Sequence, residues 1–127
     1  MDGKNYINGV FVRCSSGDEF ESRNPANIDE VLGTFPLSSG KDVDNAVSAA
    51  KAAYQGWRCL SRIKRGEYLD AFTQLLKADH EEISRLVTKE CGKGIIEGRA
   101  DVTEGIHMCQ YVFGTVRMPH GDVIDSE

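Results

Sequence analysis

The chain has 127 residues, of which 40% are apolar and 28% charged, and it carries a formal charge of −5. That length suits one ordinary domain rather than two, and the apolar fraction excludes wholesale disorder. The acidic balance, with both signs interspersed, argues against a nucleic acid or an anionic membrane as partner.

In chain order, strands are expected first. Tyr6–Val12 is rich in β-formers around Asn8-Gly9, a pair suited to a tight turn or a bulge. The opening stretch MDGKNYINGVFVR has no apolar run long enough for a signal-peptide core, and no later stretch approaches a membrane span. A cytoplasmic location is therefore expected. A loop over Cys14–Asp18 leads to an extended Glu19–Arg23. Asn24-Pro25-Ala26-Asn27 must turn, because proline drives the residue before it out of the helical region. Val31–Phe35 is again extended, and Pro36 closes it.

Helices are expected from there on. Ser39 with Asp42 three residues later has capping-box spacing, and the acid also suits the positive end of a helix dipole. Val43, Ala46, Val47, Ala50, Ala53, Tyr54 and Trp57 then form one apolar stripe, with Trp57 expected as a buried anchor. The basic stretch Arg58–Arg65 reads as a solvated helix start. A second stripe runs through Leu69, Phe72, Leu75 and Leu76. Asp79 with Glu82 repeats the capping-box spacing before a third helix holding Ile83, Leu86 and Val87. A fourth is expected from Ile95 to about Phe113, with Val102, Ile106, Cys109 and Phe113 on one side.

The four cysteines, Cys14, Cys59, Cys91 and Cys109, are widely spaced and form no C-x-x-C pair, which favours free thiols over disulfides or a metal site. His107 and Cys109, two apart in a helix, point to different faces and make no ligand pair. The stretch TKECGKGIIEGRADV, Thr88–Val102, poses the sharper question. Its Gly-Lys lacks the G-x-x-x-x-G-K-[ST] frame of a phosphate loop. Gly92 falls where the third helix should stop, so Cys91 belongs to its last turn. There the negative end of the helix dipole opposes the thiolate that a nucleophile needs, although Lys89 and Lys93 favour it.

Six blocks, Y-I-N-G-V-F-V, F-E-S-R-N-P-A-N, V-L-G-T-F-P, D-V-D-N-A-V-S-A-A-K-A-A-Y-Q-G-W, S-R-I-K-R-G-E-Y-L and T-K-E-C-G-K-G-I-I-E-G-R-A-D-V, occur in this order. From Tyr6 to Glu127 the chain resembles the N-terminal part of the NAD(P)-dependent aldehyde dehydrogenase superfamily. The resemblance implies an α/β fold: an N-terminal β-hairpin region and about four helices of an incomplete, Rossmann-type cofactor domain spanning residues 1–127. It also implies that the catalytic cysteine, the general-base glutamate, the oxyanion-hole asparagine and the dinucleotide-binding strands lie further along the family's chain. Cys91 aligns with none of them. No catalytic or cofactor-binding residue is thus expected here, and NAD or NADP belongs to the full-length family. The implied partner is the remainder of an aldehyde dehydrogenase chain, with a homo-oligomer as the full-length form.

By the same resemblance, Ser22, Arg23 and Glu90 match positions where some members hold a monovalent cation, through carbonyls before the Asn-Pro turn and an acid before Gly-Lys. Two positions depart from the family's habit: Phe11 stands where tryptophan is usual, and Gly94 where proline often follows Gly-Lys. Two rival readings of the residues remain, a free-standing helical interaction module and a small thiol enzyme built on Cys91.

Overall fold

The computed structural model describes residues 2–119 and 121–126. Its elements run β1 (Asn5–Ile7), β2 (Val10–Val12), β3 (Glu19–Asn24), β4 (Asn27–Pro36), α1 (Gly40–Cys59), α2 (Arg62–Ala78), α3 (His80–Cys91) and α4 (Ile95–Thr115). The expected α/β order holds, with the strands gathered before the helices.

Asn8 and Gly9 both take positive φ, 52° and 81°, as the tightest hairpin turn demands. Ile7 then faces Val10, and Tyr6 faces Phe11 with ring centroids 4.9 Å apart. The β3–β4 ribbon is also antiparallel, and Phe20 opposite Phe35 brings their rings to 6.0 Å. Its turn is the expected Asn24–Asn27 one, where the Ala26 N–H donates to Asn24 Oδ1 at 2.9 Å. The ribbon's register slips at Ser22/Arg23 and again at Arg23/Asn24, a bulge that takes main chain out of the ladder.

At the start of α1 the Asp42 carboxylate accepts the Ser39 N–H at 2.8 Å and the Ser39 hydroxyl at 2.9 Å. It also accepts the Ser15 N–H at 2.8 Å, fastening the loop before β3 to the helix. These hydrogen bonds, the Ser39 N–H first, hold the Asp42 carboxyl below its ordinary range. Apart from the half-buried Ala46 and Ala49, the remainder of α1 is solvent-facing, and that corrects one expectation. Trp57 is 48% exposed; it meets Tyr68 of α2 at 5.9 Å between ring centroids and anchors no core.

A second correction concerns the Asp79–Glu82 capping box. Asp79 is the single residue between α2 and α3, giving its N–H to Leu75 O and its carbonyl to the Ile83 N–H. It sits at φ −98°, ψ 13°, short of the extended conformation a capping side chain needs, and makes no cap bond. A third concerns α2. Its buried positions are Gly66 and Thr73, whereas Phe72 is 50% and Leu75 63% exposed. Small residues let α2 lie close on α4: a Cβ at Gly66 would stand 2.7 Å from Val116 Cγ1. The basic stretch is only partly solvated, since Arg62 donates to Met118 O at 2.8 Å and Arg65 to Leu60 O at 2.8 Å.

The packed centre is the α3–α4 crossing. Val102 and Ile106 of α4 are buried as expected, and Ser84 of α3 is fully enclosed, its hydroxyl returned to His80 O at 2.7 Å. Glu81 closes one end of the crossing by accepting both Arg99 Nε (2.9 Å) and Arg99 Nη2 (2.8 Å).

Candidate functional site

The stretch that raised the question of chemistry is the joint between the β3–β4 ribbon and α3–α4. Gly92 ends α3 in the left-handed conformation, φ 68°, that glycine adopts without strain. It also presses on the ribbon's turn, since a Cβ there would stand 3.1 Å from both Ala26 N and Pro25 Cβ. Lys89 reaches across to Glu30 at 2.6 Å, and Asn24 Nδ2 donates to the same carboxylate at 2.8 Å. The Lys89 hydrogen bond, and then that from Asn24, lower the Glu30 pKa. Lys93 pairs with Asp101 in the second turn of α4, and that hydrogen bond raises its pKa. Both lysines flanking Cys91 are therefore committed to carboxylates in ion pairs that hold elements together. Cys91 is exposed in the last turn of α3.

The three residues matched to a cation site are partly brought together. Ser22 and Glu90 line one cavity of about 100 Å³, closed otherwise by Leu32, Phe35 and Leu86. Arg23 follows at the bulge, its guanidinium turned to other work: Nη1 donates to Ile28 O at 3.0 Å and Nη2 to Glu21 at 2.5 Å. What Arg23 can offer an ion is its main-chain carbonyl. One carboxylate and two carbonyls suit a hard cation in kind. They fall short of the six or more oxygens such ions gather, so further donors would have to come from elsewhere.

Two features escaped the sequence. The Ser15–Asp42 tie spans 27 residues of chain and has no local signal. The Glu81–Arg99 pair spans 18 residues and would have needed the α3–α4 register in advance. Among the described residues there is no cluster of three or more His, Cys, Asp or Glu able to hold a metal. No described helix is long and apolar enough to cross a membrane.

Two antiparallel ribbons leading into helices α1–α4, with a cavity between ribbon and α3, make a mixed α/β fold. Residues 11–127 match the aldehyde dehydrogenase family, and the chain belongs to that family, corresponding to its N-terminal part. It is 36% identical over 122 residues to the α-ketoglutaric semialdehyde dehydrogenase of Bacillus subtilis, a match covering 96% of this chain and 25% of the relative. It is 40% identical over 124 residues to the malonate-semialdehyde dehydrogenase of Lacticaseibacillus casei, with 97% and 25% covered. The fold superposes on lactaldehyde dehydrogenase from Escherichia coli with a TM-score of 0.92 at 26% identity, covering 99% of this chain and 26% of that one. The chain thus spans about a quarter of the length of the relatives it matches.

Proposed function

We propose that this chain is the N-terminal scaffold of an NAD(P)-dependent aldehyde dehydrogenase, one that oxidises an aldehyde to a carboxylic acid, and that it supplies packing surface and no catalytic group. The carrying observation is the coverage: 96% of this chain aligns with 25% of an enzyme. The similar structure of PnpE is a complex with nicotinamide adenine dinucleotide, which supports that cofactor for the complete enzyme. Glycine-rich strand–turn–helix frames of the kind that cradle a dinucleotide do not occur in these 127 residues. The partner in this reading is the remainder of an aldehyde dehydrogenase chain, in a cytoplasmic homo-oligomer. Ser22, Arg23 and Glu90 would contribute part of a monovalent cation site to it.

The test is a chimaera in which these residues replace the matching quarter of the Bacillus subtilis relative. Aldehyde oxidation coupled to NAD(P) reduction should survive in the chimaera and be absent from the 127-residue chain alone. Micromolar NAD binding by the chain alone, measured calorimetrically, would overturn the scaffold reading.

A further inference from the structure

The tip of the β1–β2 hairpin carries a chemistry that a scaffold role does not use. Asn8 and Gly9 are both exposed, and their φ values of 52° and 81° are those of a type I′ turn. The ladder ends at the Ile7–Val10 pair, so the Gly9 N–H lies outside it. The Asn8 carboxamide has no hydrogen-bond partner among the described residues.

An asparagine side chain can close on the nitrogen of the next residue, because the five-membered ring so formed has little strain. A type I′ turn becomes type II′ by rotation of its central peptide alone. The first central residue then stands at φ about +60° and ψ about −120°. Asn8 already has that φ. For an L-residue the same ψ eclipses Cβ with the following nitrogen, which is the geometry the ring requires. Gly9 permits the rotation, in which its own φ changes sign. The turn thus brings Gly9 N to Asn8 Cγ without parting the strands.

The other asparagines are held away from this reaction. Pro25 after Asn24 has no N–H to lose, and Asn24 Nδ2 donates to Glu30 at 2.8 Å. Asn5 is tied to Ser38 Oγ through both amide atoms, at 2.9 and 3.2 Å. Asn27 precedes the β-branched Ile28 within β4, and Asn45 lies inside α1. The related Asp2-Gly3 step is restrained too, since the Gly3 N–H donates to Thr34 O at 2.8 Å.

We propose that Asn8 is a self-modification site, at which the Gly9 nitrogen displaces the side-chain amide and leaves residue 8 as aspartate or isoaspartate. The Gly9 N–Cγ bond forms as the Cγ–Nδ2 bond breaks, and the Gly9 amide proton leaves with Nδ2 as ammonia. Water then opens the succinimide. Cleavage at Cγ gives aspartate. Cleavage at the Asn8 main-chain carbonyl gives isoaspartate, whose main chain runs through Cβ and Cγ. Either product adds a negative charge. Isoaspartate also adds a main-chain atom to a tight loop that rests beside Ala46, Ala49 and Ala53 of α1. The proposal rests on the turn alone, so it stands or fails apart from the scaffold reading.

The test is to age the 127-residue chain in mildly alkaline buffer and map its peptides by mass. Replacement of the side-chain amide by hydroxyl should accumulate at residue 8 at least about tenfold faster than at any other asparagine. The rate should rise with pH, because the nitrogen attacks as its anion. A protein L-isoaspartyl methyltransferase should label the peptide holding residue 8. Asn8→Gly, which keeps the positive φ, should abolish the label. A synthetic peptide of residues 4–13 populates the turn only in part and should react no faster than the folded chain. Deamidation spread over the other asparagines, no methyl label at residue 8, or a peptide faster than the chain would each overturn the proposal.

Discussion

Gly98 of α4 crosses α3 so closely that a β-carbon on it would stand 2.6 Å from Thr88 Oγ1 and 2.7 Å from the Ser84 carbonyl oxygen. Backbone cannot give way as a flexible side chain can, so the fit of α3 on α4 depends on the missing methyl. Gly98→Ala should destabilise the fold by about 1–3 kcal/mol, the range for overpacking a tight contact. Gly105, in the same helix with nothing within 4 Å of its would-be Cβ, provides the control. Gly105→Ala should stabilise by nearly 1 kcal/mol through helix propensity alone. Urea titrations of the two variants should move in opposite directions, and a common direction would mean that the crossing is looser than described.

Glu81 carries the acid response. Hydrogen bonds from Arg99 and then Arg85 lower its pKa from the ordinary 4.5 to about 2. A carboxyl whose folded-state pKa is depressed stabilises the fold above its unfolded value, and that contribution disappears as pH falls through the folded one. Stability should therefore decline between pH 4.5 and about 2 as the Arg99 fork opens. Glu81→Gln should flatten this part of the profile and lower the melt at pH 7 by the same amount that the parent loses on acidification, a modest one because the pair is exposed and screened. Melts at descending pH that overlay for parent and variant would place the acid response elsewhere.

Gly94 occupies the N-cap of α4 at φ −66°, ψ 149°, a geometry that proline holds by its ring. Its carbonyl accepts the Glu97 and Gly98 N–H groups, both at 3.1 Å, and proline would keep that carbonyl. Only Glu97 Oε2, at 4.0 Å, lies near the would-be Cβ. Gly94→Pro should stabilise by about 0.4–1 kcal/mol, mainly by restricting the unfolded chain. A loss of stability would show that Lys93, which a following proline pushes toward extended conformations, cannot comply.

The local elements were legible in the sequence because their signals are local. Asn8-Gly9 gave the hairpin, Asn24-Pro25 the ribbon turn, Ser39 with Asp42 the start of α1, and Gly92 the end of α3. Which face of each helix is covered was not legible, because periodicity marks an apolar stripe without naming what lies on it. Trp57 and Phe72 belong to real stripes, yet both face solvent, while the covered positions of α2 are Gly66 and Thr73. The cation residues divide in the same way. Ser22 and Glu90, 68 positions apart in the numbering, meet at one cavity only because the ribbon leans on α3.

The exposed apolar surface makes the last prediction. Trp57, Tyr68, Leu69, Phe72 and Val112 line an open groove of about 590 Å³ between α2 and the ends of α1 and α4. Contiguous apolar surface of this kind marks an interaction site or a liability to associate. The buried apolar set, Val102 and Ile106 with Cys14, is small for a chain of this length. The 127-residue chain should therefore bind the dye ANS at the groove and melt broadly at modest temperature. Phe72→Lys should cut the dye signal without lowering the melting temperature, since that ring is 50% exposed. Within the chimaera the same substitution should be costly, because the enzyme's remaining residues would have to bury the charge. A sharp transition well above about 60 °C with no dye binding would show instead that the helices cover one another.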